Sequence, residues 1–175
     1  MKEQRVVLGG GCFWCVEAVY NNVKGVISAL SGYAGGARAN PSYENVCSGA
    51  TGHAEIVDIK FDAEVITLND ILDIFFVVHN PTTLNQQGAD KGTQYRSVVY
   101  YANEEEKAII EASIKKHQAE FSDKIVTEVS PLPAVFAAEG YHQNYYTLNS
   151  SQGYCQVVIA PKLQKFMMKF PQFLA

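Results

Sequence analysis

The sequence predicts an α+β fold: a two-layer α/β sandwich built on a ferredoxin-like split βαβ core, with long functional loops and an irregular C-terminal segment. Three observations predict it. The first hundred residues read as strand, helix, strand, strand, helix, strand. Residues 12–23 have apolar positions at helical spacing, 68–79 is bounded as a helix by a cap and a proline, and 53–61 alternates as a half-buried strand does. Residues 32–52 and 80–94 are two long loops, and loops of that length inside a compact domain usually carry function.

Arg5 to Leu8 forms the first short strand. A helix follows over 12–23, with Cys12, Val16, Val19 and Val23 on one face. Val26 to Tyr33 is the second strand, and the loop over 32–52 holds five glycines and Pro41. In the strand 53–61, Glu55, Val57, Ile59 and Phe61 share one side and Ala54, Ile56, Asp58 and Lys60 the other. The helix over 68–79 starts from Thr67, with Asp70 completing a weak capping box, and Pro81 stops it. After the second long loop comes a strand over 95–101. A third helix begins after Asn103, with Glu104, Glu105 and Glu106 at its positive end, Lys115 and Lys116 nearer its negative end, and Ile110, Ile114, His117 and Phe121 as its buried stripe. Residues 124–129 suggest one more strand, 139–148 a short helix and 162–170 a final helix.

The 175 residues suffice for one domain with a real core, so the expectation is a single catalytic domain over 1–175. Fourteen basic and eighteen acidic residues, with no basic block longer than Lys115-Lys116, argue against a nucleic-acid groove. The N-terminal apolar run is too short for a signal peptide, and the stretch 71–78, interrupted by Asp73, is too short to span a bilayer. The expected location is the cytoplasm, where Cys12, Cys15, Cys47 and Cys155 are mostly thiols and a static disulfide framework is not expected.

The stretch GGGCFWCVEAVY, residues 9–20, concentrates the chemistry. Its glycines let the backbone turn tightly from strand to helix. Cys12 then sits at or near the helix N-terminus, where free amide donors and the macrodipole stabilise an anion. A free thiol has a pKa of about 8.5; such a position can bring it below about 7.5, which makes a usable nucleophile. The bland alternative is a core cysteine that happens to begin a helix. Phe13 and Trp14 are core residues by default, yet beside a nucleophile they can wall a small methyl-bearing substrate. Cys15 completes a Cys-x-x-Cys, compatible with a redox pair or half of a zinc site.

Glu55 points the same way as three apolar neighbours. In an apolar layer, desolvation raises a carboxyl pKa and creates a general acid at neutral pH; at an open strand end the same group stays wet and ordinary. His53-Ala-Glu55 lacks the later Pro-Cys-x-x-Cys that a zinc deaminase requires. Glu139-x-x-His142 lacks the second copy that a di-iron bundle requires.

Taken together, GCFWCVE, SGYAGG, NPSYENVCSGATGHAE, QGADKGTQYRS and YHQNYY, in this order from Gly9 to the neighbourhood of Cys155, resemble the A-type peptide methionine sulfoxide reductases. The resemblance implies a two-layer α/β sandwich. It implies Cys12 as nucleophile and Glu55 as proton donor, Tyr43 and Tyr95 as hydroxyls that bind the sulfoxide oxygen, Asp90 as a second acid, and Phe13 and Trp14 as the methyl pocket. It further implies reduction of methionine S-sulfoxide, free or in proteins, through a cysteine sulfenic acid and a disulfide recycled by thioredoxin, with no metal or organic cofactor. Relatives often carry glycine at the position of Cys15. The preferred resolving thiol is Cys155 in QGYC, on an expected mobile tail, with Cys15 second. Two rival readings are a general dithiol-disulfide oxidoreductase using Cys12 and Cys15, and a non-enzymatic zinc module using the same pair. The remaining cysteines do not supply the second Cys-x-x-Cys that such a module would use.

Overall fold

The structure, a computed structural model, describes residues 2–175. In chain order the elements are β1 (Glu3–Gly9), α1 (Phe13–Tyr20), β2 (Val26–Ala34), α2 (Tyr43–Cys47), β3 (Ala54–Asp62), α3 (Leu68–Val78), β4 (Gln86–Gln87), β5 (Asp90–Lys91), β6 (Val98–Tyr101), α4 (Glu104–His117), β7 (Glu128–Pro131), β8 (Val135–Ala137), α5 (Tyr145–Asn149) and α6 (Ala160–Lys169). Six strands form one mixed sheet in the order β7-β6-β1-β3-β2-β8, and β4 and β5 make a separate small hairpin. β3 runs antiparallel between β1 and β2, and β6 runs antiparallel to β1 on its other side; the pair β6–β7 is parallel. The fold is therefore α+β, a mixed sheet with helices packed against it.

Period-two alternation sorts β3 between two cores, as its sequence requires. Val57, Ile59 and Phe61 join the large cluster that α1, α3 and α6 supply with Val16, Val19, Ile71, Phe75 and Phe166. Ala54 and Ile56 face the other way and pack with Val7, Val98 and Tyr100 under Leu132 and Val135. Full burial of a side chain such as Phe61 stabilises the fold by roughly 1.5–3 kcal/mol. The Tyr20 hydroxyl, buried in the large core, donates to the Ile71 carbonyl at 2.8 Å and ties α1 to α3.

The helix ends follow their capping chemistry. Thr67 and Asp70 exchange both bonds of a capping box at 3.2 and 3.1 Å. Asn103 caps α4 through Glu106 N–H at 2.9 Å, with three glutamates in its first turn and Lys115, Lys116 and His117 in its last.

Several elements differ from the sequence expectation. α1 stops at Tyr20, because residues 21–23 turn away, and Cys12 precedes the helix as its N-cap. The first long loop contains α2, capped by Ser42 and Asn45, and the second contains the β4–β5 hairpin. Tyr95 lies in a 3-10 turn, Thr93–Tyr95, ahead of the strand expected over 95–101. The strand expected over 124–129 is β7, displaced toward the C-terminus. Asn144, at φ +54°, splits the helix expected over 139–148 into a 3-10 turn and α5. A π-helical turn, Cys155–Ile159, leads into α6. Beyond α6 the chain returns to the end of α1: Lys24 N–H donates to Phe173 O at 2.6 Å, and Ala175 N–H to Asn22 O at 2.9 Å. No helix among the described residues is long and apolar enough to cross a membrane.

Candidate active site

The glycine run brings the start of α1 against β3. A Cβ on Gly9 would lie 2.6 Å from the Glu55 carbonyl oxygen, so only glycine allows this close approach. Gly11, at φ +91°, makes the turn that a side chain would resist. Cys12 follows in extended conformation as the N-cap of α1, its carbonyl accepting the first helical bond from Cys15 N–H at 3.1 Å.

The Cys12 side chain receives no hydrogen bond from the first turn and is only 6% exposed. Burial therefore pushes its thiol well above the ordinary range, with the neighbouring Cys15 and Glu55 adding to the shift. This reverses the expected lowering by the helix end. An aligned dipole in a dry pocket, without a direct N–H on the sulfur, does not offset the loss of water.

Glu55 stands on β3 opposite Tyr33 of β2, on the helix side of the sheet. It is 1% exposed. Phe13 N–H donates to its Oε1 at 3.1 Å, and Oε2 is buried with no partner. Burial raises its pKa to about 8, against the lowering effect of that one N–H, and Asp90 and Cys15 raise it further. Of the two environments open from sequence, the apolar one is observed: the carboxyl keeps its proton at neutral pH.

Tyr43, the first residue of α2, and Tyr95, in the 3-10 turn, are half-buried. Burial and then Glu55 push both hydroxyls upward, and Tyr95 also senses Cys47, Asp90 and Cys12. Both remain hydrogen-bond donors. Asp90, at the start of β5, accepts the Tyr154 hydroxyl at 3.0 Å. Cys12, Glu55, Tyr43, Tyr95 and Asp90 thus converge from the N-cap of α1, β3, α2, a 3-10 turn and the small hairpin.

Phe13 lies buried beneath this group, its ring 5.7 Å from Tyr33 and 6.3 Å from Tyr43. Trp14 is half-buried; Tyr145 stacks on one indole face at 3.8 Å and Tyr154 meets it edge-on at 5.8 Å. The indole N–H donates to His142 Nδ1 at 3.1 Å, which leaves the proton of neutral His142 on Nε2, buried and unpartnered. Glu139 accepts from the Tyr33 hydroxyl, Tyr43 N–H and the Tyr141 hydroxyl. His142, Tyr145 and Tyr154 therefore pack around the site. Their tyrosine-rich segment has no period; His142 and Tyr145 fall in the family motif YHQNYY, and Tyr154 lies beyond it, beside Cys155 in QGYC.

Of the other thiols, Cys15 interacts directly with Cys12 and lies 3.9 Å from the Tyr154 hydroxyl. Cys155 interacts with Cys15. It is fully buried in the π-helical turn, packed in the large core, and not on a loose tail as the sequence suggested. Cys47 is exposed at the end of α2, where its thiol meets the Tyr43 hydroxyl. Among the described residues no three His, Cys, Asp or Glu side chains group as a metal-ligand set.

Comparison with known proteins gives one answer throughout. Residues 4–173 match the family described as peptide methionine sulfoxide reductase. The peptide methionine sulfoxide reductase MsrA of Polynucleobacter asymbioticus is 55% identical over 174 residues, covering 98% of this chain and 92% of that protein. The MsrA of a Nitratiruptor species is 54% identical over 172 residues, covering 98% and 99%. Among solved structures, reduced Mxr1 of Saccharomyces cerevisiae superposes with a TM-score of 0.82 at 33% identity, covering 88% of this chain and 90% of that one. Methionine sulfoxide reductase A of Corynebacterium diphtheriae gives 0.79 at 33%, covering 89% and 78%. Mxr1 has also been solved in complex with Trx2; that chain shares the fold, with a TM-score of 0.57 at 23% identity over 82% of this chain and 85% of that one.

Proposed function

The chain belongs to the A-type peptide methionine sulfoxide reductase family, and on that premise we propose that Cys12 and Glu55 carry the reduction of methionine S-sulfoxide, free or within proteins. Cys12 Sγ attacks the sulfoxide sulfur while Glu55 passes its proton to the sulfoxide oxygen, which would otherwise leave with uncompensated charge. The Glu55 carboxylate so formed takes the Cys12 thiol proton. The oxygen then passes from the substrate sulfur to Cys12 Sγ: the substrate's sulfur–oxygen bond and the new sulfur–sulfur bond break as a sulfur–oxygen bond to Cys12 forms, so the thioether departs and Cys12 is left as sulfenic acid. Tyr43 and Tyr95 donate hydrogen bonds to the oxygen, Asp90 holds the Tyr154 hydroxyl at the rim, and Phe13 and Trp14 receive the methyl group. A chiral sulfur met by a fixed apolar wall and fixed hydroxyls accounts for selection of one epimer.

The observation that carries this reading is Glu55: one oxygen anchored by Phe13 N–H, the other buried and unpartnered, with a pKa near 8. A thiol that keeps its own proton in the resting pocket suits the same exchange, since the base that removes it forms only as substrate is protonated.

For resolution we propose that Cys15 condenses with the Cys12 sulfenic acid, releasing water. Cys155 then attacks Cys15, giving a Cys15–Cys155 disulfide and freeing Cys12. The side-chain hydrogen bond between Cys15 and Cys12, and the electrostatic influence of Cys15 on Cys155, support that order over direct attack by Cys155. Thioredoxin or a small thiol supplies the electrons, without a metal or organic cofactor; the Mxr1–Trx2 complex supports a protein reductant by analogy. Residues 1–175 act as one catalytic domain on a ferredoxin-like four-strand core, in the cytoplasm, where thiols stay reduced.

The test is turnover of resolved R and S methionine sulfoxides with dithiothreitol, comparing wild type with Cys12→Ser and Glu55→Gln. Turnover of the S form alone, abolished by the first substitution and strongly reduced by the second, is expected. A general dithiol oxidoreductase would instead reduce insulin disulfides undiminished by Glu55→Gln.

A further inference from the structure

A groove of about 1120 Å³ runs beside the catalytic pocket, between the C-terminal end of α3, the β4–β5 hairpin and the face of α6. None of Cys12, Glu55, Tyr43 or Tyr95 lines it, so it is a separate space, yet it shares Asp90 and Tyr154 with the pocket's rim. Its walls include Val78, Phe121 and Val157, the last 75% exposed. Along one side stand Lys162, Lys165 and Lys169, spaced three and four residues apart on one helical face.

These lysines contrast with the rest of the protein. The chain carries a formal charge of −4, but no acidic residue follows Glu139. None of the three lysines forms a salt bridge among the described residues. The two carboxylates lining the groove are already engaged: Asp90 accepts from Tyr154, and Glu120 pairs with His117. Three lysines against these two carboxylates leave the groove lining net positive beside an apolar floor, and the groove adjoins the site where the sulfoxide reacts.

We infer that this groove binds the polypeptide flanking an oxidised methionine and favours segments that carry acidic side chains. The inference rests on the reductase reading and extends it from the reacting sulfur to the chain around it. Free methionine sulfoxide has no flanking chain, so it does not use the groove.

The test uses two blocked pentapeptides with a central methionine S-sulfoxide, one flanked by aspartates and one by lysines, with dithiothreitol as reductant. Wild type is expected to show kcat/KM about fivefold or more higher for the aspartate peptide at low salt, with the difference shrinking in 0.5 M salt. In Lys165→Gln/Lys169→Gln, both exposed positions, the preference falls below about twofold while turnover of free methionine sulfoxide is unchanged. Equal rates for the two peptides in wild type, or a preference that survives the double substitution, overturns the inference. A preserved preference with a raised KM for thioredoxin also overturns it and assigns the groove to the reductant. Absence of turnover with free methionine sulfoxide would instead defeat the reductase reading itself.

Discussion

Glu55 is held by the first peptide of the cysteine helix: Phe13 N–H donates to Oε1 at 3.1 Å, while Oε2 is buried without a partner. One oxygen fixes where the acid stands, and the other is left to carry its proton. Glu55→Gln keeps the shape and the acceptor but cannot transfer a proton. Steady-state kinetics with methionine S-sulfoxide are expected to show kcat lowered by about 10²–10⁴-fold, the usual contribution of a positioned acid. The melting temperature should not fall, because a neutral group replaces a neutral group.

The same acid sets the pH behaviour. With its pKa at about 8, turnover is expected to decline above that pH as Glu55 ionises, and this limb disappears from the residual activity of Glu55→Gln. Stability follows the same proton. An unfolded glutamate titrates near about 4.3, so the fold binds this proton more tightly than the unfolded chain does. Its contribution is complete below that value and is lost as pH rises through about 8. Urea melts at pH 6 and pH 9 should show wild type losing more stability over that interval than Glu55→Gln.

The three buried thiols should report their order of use by mass mapping after one equivalent of sulfoxide. Wild type is expected to end with Cys15 joined to Cys155. Cys155→Ser should stop at a Cys12–Cys15 disulfide. Cys15→Ser should leave Cys12 as a sulfenic acid that a dimedone probe traps. A direct Cys12–Cys155 bond in wild type would refute the relay.

Trp14 is the only tryptophan, so its fluorescence reads the pocket directly. His142→Phe removes the acceptor of the indole N–H, and an unsatisfied buried donor costs about 1–3 kcal/mol. KM for the S-sulfoxide is expected to rise roughly tenfold, more than kcat falls. The emission maximum should shift in the free enzyme.

Gly9→Ala sets a methyl group 2.6 Å from the Glu55 carbonyl oxygen, which is backbone and cannot swing aside. Overpacking of this kind costs about 1–3 kcal/mol. For a chain of this size the melting temperature is expected to drop by roughly 3–10 °C. Activity should fall with it, because the displaced strand carries Glu55.

The sheet and the reacting pair were legible because local rules govern them. Period-two alternation assigned Glu55 to the face of Val57, Ile59 and Phe61, and the glycine run marked where α1 would start. The Thr67–Asp70 box and the Asn103 cap were readable for the same reason. What escaped depends on contacts distant in sequence. His142 reaches Trp14 from 128 residues away, and Tyr154 reaches Asp90 from 64. The π-helical turn at Cys155 has no distinguishing residue pattern, so a buried thiol read as a mobile one. The direction of the Cys12 shift was missed for another reason: sequence locates the helix end but not how little water surrounds the sulfur.

Residues 173 and 175 pin the segment just after α1 through main-chain bonds. During synthesis, the helix bearing the reactive sulfur emerges early yet meets these neighbours only after residues 173–175 have left the ribosome. At 5–20 residues per second that interval is on the order of ten seconds. A nascent chain would thus lack this anchor on the reactive helix until residues 173–175 have emerged.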